Sequence, residues 1–90
     1  MKTRDEILTL LEKKFPNCWF KEGEKFASSF QGSIWSGSDS TIDGLKLVDD
    51  FAQGKKYIIG VHCKMDALLK KHGWYHELYD CGTVFFYPSK

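Results

Sequence analysis

This 90-residue chain lacks an excess of either positive or negative charge, because its formal net charge is only +1 at pH 7. Proteins that bind nucleic acid mainly through its phosphates usually carry a clear basic excess, so the charge argues against a general polyanion binder. Long apolar runs are missing too, because no stretch approaches the roughly 18 apolar residues of a membrane span. The polar, charged first residues also lack the apolar stretch of a signal peptide.

Cysteine is scarce, and the chain has only Cys18, Cys63 and Cys81. An odd number of widely spaced cysteines does not form a disulfide framework. In the absence of a secretory signal, this usage is typical of a reducing compartment. We therefore expect a soluble cytoplasmic protein that does not associate with membranes.

Metal and cofactor signatures are absent from the sequence. It has no Cys-x-x-Cys pair and no recognisable glycine-rich phosphate loop. Side chains of the types that zinc prefers are present at His62, Cys63, His72, His76 and Cys81. Their spacing does not suit a zinc site, because Gly73 should end a helix between His72 and His76. We predict no metal and no cofactor.

A catalytic cysteine would need a base within hydrogen-bond reach. The last two strands should form a hairpin in which Tyr79 faces Thr83 and His76 pairs near Phe86. This register places His76 on the order of 15 Å along the strand from Cys81. We predict that the protein is not an enzyme. A small cysteine- or metal-dependent enzyme is a further alternative, because His62 could approach Cys81 from elsewhere in the fold.

Aromatic residues are plentiful, with three Trp, four Tyr and seven Phe. Ninety residues make one domain, residues 1–90, and a domain of this size buries only about two thirds of the surface that its unfolded chain exposes. Trp and Tyr are also enriched at protein interfaces. We expect some of these side chains to form an exposed aromatic face, made of Trp35, Trp74, Tyr75, Tyr79 and Tyr87.

The charged residues are segregated along the chain. Acidic residues between positions 36 and 53, together with one in the last turn, should form a rim around the aromatic face: Asp39, Asp43, Asp49, Asp50 and Asp80. Basic residues between positions 54 and 72 should form a basic patch: Lys55, Lys56, Lys64, Lys70 and Lys71. With Trp74 and Tyr75 as stacking platforms, that patch would suit a small nucleic-acid-binding protein, which is the first alternative function.

The first helix has clear start and stop signals. Thr3-Arg4-Asp5-Glu6 forms a capping box, and Pro16 disfavours helical geometry just before it. These signals predict a helix from the capping box to about Lys14. Its apolar stripe is Ile7, Leu8, Leu11 and Phe15, with Leu10 at the margin.

The middle of the chain favours strands. We predict one over residues 18–22 and another over residues 25–35, where Phe26, Phe30 and Ile34 fall on one side of an alternating pattern. Asp43-Gly44 predicts a tight hairpin. Residues 41–53 as a whole fit a strand or a helix equally well.

In the last third of the chain, predicted strands alternate with a predicted helix. We predict a central strand over residues 57–61 and a helix over residues 64–72 that Gly73 ends. Strands over residues 74–79 and 83–87 follow, joined by a turn at residues 80–82. The fold class is therefore α+β: a single small domain with a mostly antiparallel sheet of about four to six strands and two helices on one of its faces.

Four short motifs within residues 41–87 resemble those of short uncharacterised proteins encoded by bacteriophages and prophages. They are Asp43-Gly44, Gly60-Val61-His62, Gly73-Trp74-Tyr75 and Asp80-Cys81-Gly82-Thr83. The resemblance implies a protein of the host-cell cytoplasm that inhibits host or defence machinery, as anti-CRISPR proteins do, by occupying a surface. We therefore expect a non-catalytic protein-binding module. Its partner would be another protein, and the sequence is also compatible with a homodimer.

Overall fold

A computed structural model describes residues 2–37, 39–49 and 55–89 of the chain. Within these residues the fold is α+β, as predicted, with helices α1 (Arg4–Lys14) and α2 (Cys63–Lys71). In chain order the strands are β1 (Lys21–Glu22), β2 (Ile34–Gly37), β3 (Thr41–Ile42), β4 (Leu45–Lys46), β5 (Tyr57–Ile58), β6 (Val61–His62), β7 (Trp74–Asp80) and β8 (Thr83–Pro88). The main sheet is antiparallel with strand order β1-β2-β8-β7, and β3–β4 and β5–β6 form separate hairpins.

Helix α1 has the predicted cap. The Glu6 amide donates to the Thr3 hydroxyl at 3.3 Å, and the Thr3 amide donates to the Glu6 carboxylate at 2.9 Å. These two bonds satisfy amides that the first helical turn leaves without partners. The helix ends at Lys14 as predicted and buries Ile7 and Leu11 against the sheet.

Helix α2 begins one residue before the predicted start. The His62 side chain accepts a hydrogen bond from the Lys64 amide at 3.1 Å and so caps the first turn. Gly73 follows the helix with φ +81°, a left-handed conformation that glycine adopts without steric cost. Met65 and Leu69 are fully buried, so α2 covers the same face of the sheet as α1.

The predicted pairing of His76 with Phe86 in the last hairpin is confirmed. The turn differs, because a bulge at Tyr79 lets Asp80 rather than Tyr79 face Thr83. The Asp80 side chain accepts a hydrogen bond from the Gly82 amide at 2.9 Å, which fixes the turn.

The predicted strand over residues 25–35 is wrong. The chain forms short 3-10 turns at Gly23–Lys25 and Ser28–Phe30, and pairing begins only at Ile34. A spacing of four residues between apolar side chains suits helical turns as well as strands. The predicted strand over residues 18–22 is correspondingly reduced to β1, because only Lys21 and Glu22 pair with β2.

Residues 57–61 do not form a central strand. They belong to the β5–β6 hairpin, whose turn residues Ile59 and Gly60 both have positive φ, +47° and +80°. The Asp43-Gly44 hairpin is confirmed as β3–β4, again with positive φ at both turn residues. Residues 41–49 contain this hairpin and no helix, and residues 50–54, including Asp50, lie outside the described residues.

Candidate functional site

The main sheet has an inner and an outer face because side chains alternate along each strand. Ile34, Phe86 and His76 align across three strands, and the first two join the core beneath the helices. One residue further along, Trp35 and Phe85 are neighbours on the opposite, outer face. The outer face also carries Lys21 beside Trp35, Glu77 beside Phe85, and Tyr75 beside Tyr87.

Residues 23–30 fold back across the outer face and close part of it. Phe30 stacks parallel on Phe85, with ring centroids 3.9 Å apart and an interplanar angle of 3°. Phe26 meets Phe85 edge-on at 5.2 Å, and Tyr79 contacts both Phe26 and Phe30. Phe85 is consequently only 1% exposed although it points away from the main core. The outer face thus has a small aromatic core of its own.

Aromatic surface remains accessible around this small core. Tyr79 is 56% exposed, Tyr75 39% and Phe26 37%. Tyr87 is half-buried and lies beside Tyr75, with ring centroids 5.7 Å apart. Burial and then the negative charge of Glu77 raise the pKa of Tyr87, so its hydroxyl stays neutral. We define the aromatic face as Phe26, Trp35, Tyr75, Tyr79 and Tyr87.

The positively charged side chain of Lys21 lies at one edge of the aromatic face. Trp19 and Trp35 meet edge-on with centroids 5.2 Å apart and an interplanar angle of 88°. The Lys21 ammonium lies over both rings, 5.5 Å from the Trp19 centroid and 5.4 Å from that of Trp35. Both distances are within the range of cation–π attraction.

Trp74 does not belong to the aromatic face, and its predicted exposure is wrong. It occupies the inner side of β7 and is only 2% exposed. Its indole N–H donates to the Lys2 carbonyl at 2.8 Å, so even its polar atom has a partner. The other four predicted residues of the face, Trp35, Tyr75, Tyr79 and Tyr87, all point outward.

The predicted acidic rim is divided. Asp80 lies in the β7–β8 turn next to Tyr79. Asp43 is at the tip of the β3–β4 hairpin and forms an ion pair with Lys64 of α2, on the other side of the molecule. The Asp49 amide binds the Gly60 carbonyl at the β5–β6 hairpin. Asp39 follows the end of β2 and borders the same cleft as Cys81, the residue after Asp80.

The predicted basic patch does not adjoin the aromatic face. Lys64 pairs with Asp43, and Lys70 pairs with Asp66 at 3.0 Å. Helix α2, which carries both lysines and Lys71, packs on the inner side of the sheet, whereas Tyr75 points outward. Lys55 and Lys56 are exposed in the turn before β5. The five lysines of the predicted patch and the aromatic face are therefore not presented on one surface, contrary to the expectation for a nucleic-acid site.

The histidines are distributed over structural roles. His62 caps α2, and burial lowers its pKa, which favours the neutral ring that a capping acceptor needs. His72 ends α2. His76 Nδ1 lies 3.1 Å from the Asp66 carboxylate, outside hydrogen-bond alignment, and Nε2 lies 3.4 Å from the Ile59 carbonyl. In the described part of the chain, no three His, Cys, Asp or Glu side chains are grouped to hold a metal ion.

The cysteines occupy three different environments. Burial raises the pKa of the Cys18 thiol to about 11, so it stays protonated at neutral pH. Cys63 starts α2 and is half-buried. Cys81 is exposed and borders a cleft of about 420 Å³ with Asp39, Thr41 and Lys46. Among the described residues that border this cleft there is no histidine to act as a base.

Comparison with protein-family models, with curated proteins and with solved structures found no match to this chain. Neither of the described helices has the length and apolar character that a membrane span requires. The function must therefore be inferred from the site itself.

Several residues of the outer face were not predicted from the sequence. The sequence pattern places Phe26 and Phe30 on the same side as Ile34, gives Phe85 no direction within its strand, and puts Trp19 and Lys21 in a plain strand. The available signal was the pair of glycines at positions 23 and 32, and in the structure a Cβ atom at Gly23 would lie 1.8 Å from the Ser33 hydroxyl. A glycine at such a close approach, together with Gly32 at φ +87°, suits a segment that turns back on itself.

Proposed function

We propose that this protein is a non-catalytic protein-binding module whose aromatic face contacts a protein partner. The observation that carries the proposal is the exposure of Tyr79, Tyr75 and Phe26 on one side of the sheet. A small domain that leaves large rings in water forgoes burial that would stabilise it. Rigid aromatic side chains in a cluster are typical of the centre of protein interfaces.

The kind of module follows from the resemblance of residues 41–87 to bacteriophage proteins. We propose an inhibitor of a host or defence protein, of the anti-CRISPR kind, that acts by covering a surface of its target. Such a mechanism needs a rigid complementary surface and no reacting group. The small aromatic core around Phe85 supplies that rigidity, because Phe30 stacks directly on its ring.

A double substitution tests the proposal. Tyr75→Ser with Tyr79→Ser removes two exposed rings without touching the main core. Truncation of rings at the centre of an interface is expected to lower affinity by roughly tenfold or more. The measurement is recovery of protein partners from host lysate on the immobilised protein, followed by the affinity of each partner for both variants.

Leu45→Ser provides the matched control, because Leu45 is 37% exposed but lies on β4, away from the aromatic face. It should retain the partner. Circular dichroism should be the same for all three proteins. If the double variant binds every recovered partner as well as the parent does, the aromatic face is not the interface.

Two other binding modes are separate outcomes of the same experiment. Capture of nucleic acid, with an affinity that falls steeply as salt rises, would favour the nucleic-acid alternative. A concentration-dependent mass that the double substitution abolishes would identify a second copy of this chain as the partner.

A further inference from the structure

We propose that Trp19 and Trp35 form a two-walled aromatic cage for an alkylammonium cation, which Lys21 fills in the isolated protein. The ligand class is a quaternary ammonium group, either the trimethylated lysine side chain of a protein or a free quaternary ammonium compound with the same head group. This inference deepens the proposed function and rests on it, because it names the chemical group that one edge of the aromatic face binds.

The geometry of the two rings is that of a corner. Their planes are nearly perpendicular, at 88°, with centroids 5.2 Å apart. The Lys21 ammonium is almost equidistant from the two centroids, at 5.5 and 5.4 Å. The negative π-faces of two indoles attract a single cation more strongly than one does, and indole is the best aromatic partner for a cation.

The walls of the cage are held in place by the fold. The Trp19 amide donates a hydrogen bond to Ser40 Oγ at 3.1 Å, and the Trp19 carbonyl accepts one from Ser36 Oγ at 2.7 Å. Both serines are buried. Trp35 lies in β2, and Phe26 supports it edge-on at 5.1 Å. A preformed site loses little conformational entropy when it binds a ligand.

Lys21 occupies the cage because of its register. It lies directly opposite Trp35 in the β1–β2 pair, so its side chain reaches the ring from the neighbouring strand. It is exposed, and an exposed cation–π contact changes an equilibrium by only about twofold to fivefold. A quaternary ammonium is less strongly hydrated than a lysine ammonium and can displace it.

The primary experiment is an NMR titration of the indole signals with choline and, separately, with its neutral carbon isostere 3,3-dimethyl-1-butanol. The expected result is a saturable shift of the Trp19 and Trp35 signals with choline only, at constant ionic strength. Trp74 serves as the internal reference, because it is buried on the opposite face of the sheet. Equal effects of the neutral isostere, or an equal shift of Trp74, would overturn the proposal.

Lys21→Gln supplies a test that a merely structural lysine would not satisfy. Removal of the internal cation should tighten choline binding by about twofold to fivefold, since the ligand no longer competes for the rings. Lys25→Gln, which removes another exposed lysine near the same edge, should leave the affinity unchanged. Weaker binding in Lys21→Gln would contradict a competing role for Lys21.

Trp35→Phe keeps an aromatic ring in β2 and should weaken choline binding while the amide spectrum stays dispersed. If this variant unfolds, the Lys21→Gln result still decides the question. Peptides that differ only in one lysine, unmodified or trimethylated, identify the source of the cation. Preference for the trimethylated peptide over choline indicates a protein side chain, and the reverse indicates a free amine.

The cage and the proposed function can fail separately. If the Tyr75 and Tyr79 double variant loses its partner but choline does not shift the Trp19 and Trp35 signals, only the cage proposal is refuted. If choline binds specifically but the double variant keeps every partner, only the proposed interface is refuted.

Discussion

Ile59 is the residue whose conformation departs most from the preference of its side chain. It is a β-branched residue with φ +47° at the tip of the β5–β6 hairpin, and it is 82% exposed. Left-handed backbone costs an ordinary residue roughly 1–2 kcal/mol, and branching at Cβ adds to the strain. No burial offsets this cost.

Ile59→Asn should therefore stabilise the fold. Asn followed by Gly60 is the pair that such two-residue hairpin turns favour, so we expect the free energy of unfolding to rise by about 1 kcal/mol. Urea denaturation measures the change. Ile58→Asn, one residue earlier and without positive φ, is the control and should not stabilise the protein. A similar gain in both variants would mean that loss of an exposed apolar side chain, not turn geometry, is responsible.

For single residues, the sequence predicts whether a side chain lies in a strand or a helix better than it predicts which face of the sheet the side chain points to. Tyr75 and Tyr79 were expected on the exposed face because of their residue type, and strand alternation does put both on the outer side of β7. Trp74 was placed wrongly, although the same alternation puts it with His76 and Leu78. Its hydrogen bond to Lys2 joins residues far apart in the sequence, and local patterns carry no information about such contacts.

At the level of elements, Arg4 connects α1 to the 23–30 segment and the strand before it. Its guanidinium contacts the Glu24 carboxylate at 2.6 Å and the Glu22 carboxylate at 3.0 Å. A further hydrogen bond, at 3.3 Å, goes to the Ser33 carbonyl. One side chain thus holds both ends of the segment that covers the outer face.

Acid should weaken this connection. The hydrogen bond from Arg4 lowers the pKa of Glu24 from 4.5 to about 2 in the folded protein. Because the folded value is the lower one, the stabilisation is complete above pH 4.5 and is lost as the pH falls towards 2. Glu24→Gln should lower stability at neutral pH and flatten its dependence on pH within that window.

Denaturant unfolding of Glu24→Gln and of the parent at a series of pH values tests this expectation. Glu12→Gln, a change of the same kind on the exposed side of α1, is the control and should follow the parent curve. A parent whose stability does not change across the window would show that the ion pair contributes nothing measurable, as many exposed pairs do.

Both helices could be predicted from the sequence, since caps, stop signals and apolar stripes are local. The 23–30 segment could not, because Phe26, Phe30 and Ile34 at intervals of four suit an alternating strand equally well. The hairpin at residues 57–62 was missed because Ile occupies a turn position where the left-handed conformation is rare. Tertiary packing, not propensity, decided both segments.

For the whole molecule, the main sheet separates two apolar clusters. Val84, Phe85 and Phe86 are consecutive in β8, and all three are at most 1% exposed. Two of them face the helices, and Phe85 faces Phe30. A central strand that is buried on both faces couples the two clusters.

Phe30→Ala should consequently destabilise the whole domain and not just the outer face. Loss of this half-buried ring predicts a decrease of up to about 3 kcal/mol in the free energy of unfolding. Indole signals of Trp35 on the outer face and Trp74 on the inner face should lose their native positions at the same denaturant concentration. Separate transitions would show that the outer cluster unfolds independently.

The position of β8 in the sheet also bears on synthesis at the ribosome. It follows every other described element in the chain, yet it pairs with both β2 and β7 at the centre of the sheet. The nascent chain therefore cannot complete the sheet until β8 has left the exit tunnel, and closing such distant pairs is slow. Until then the rings of Phe26, Phe30 and Trp35 cannot pack against β8 and stay exposed to solvent. The growing chain is then a substrate for chaperones that recognise exposed apolar segments.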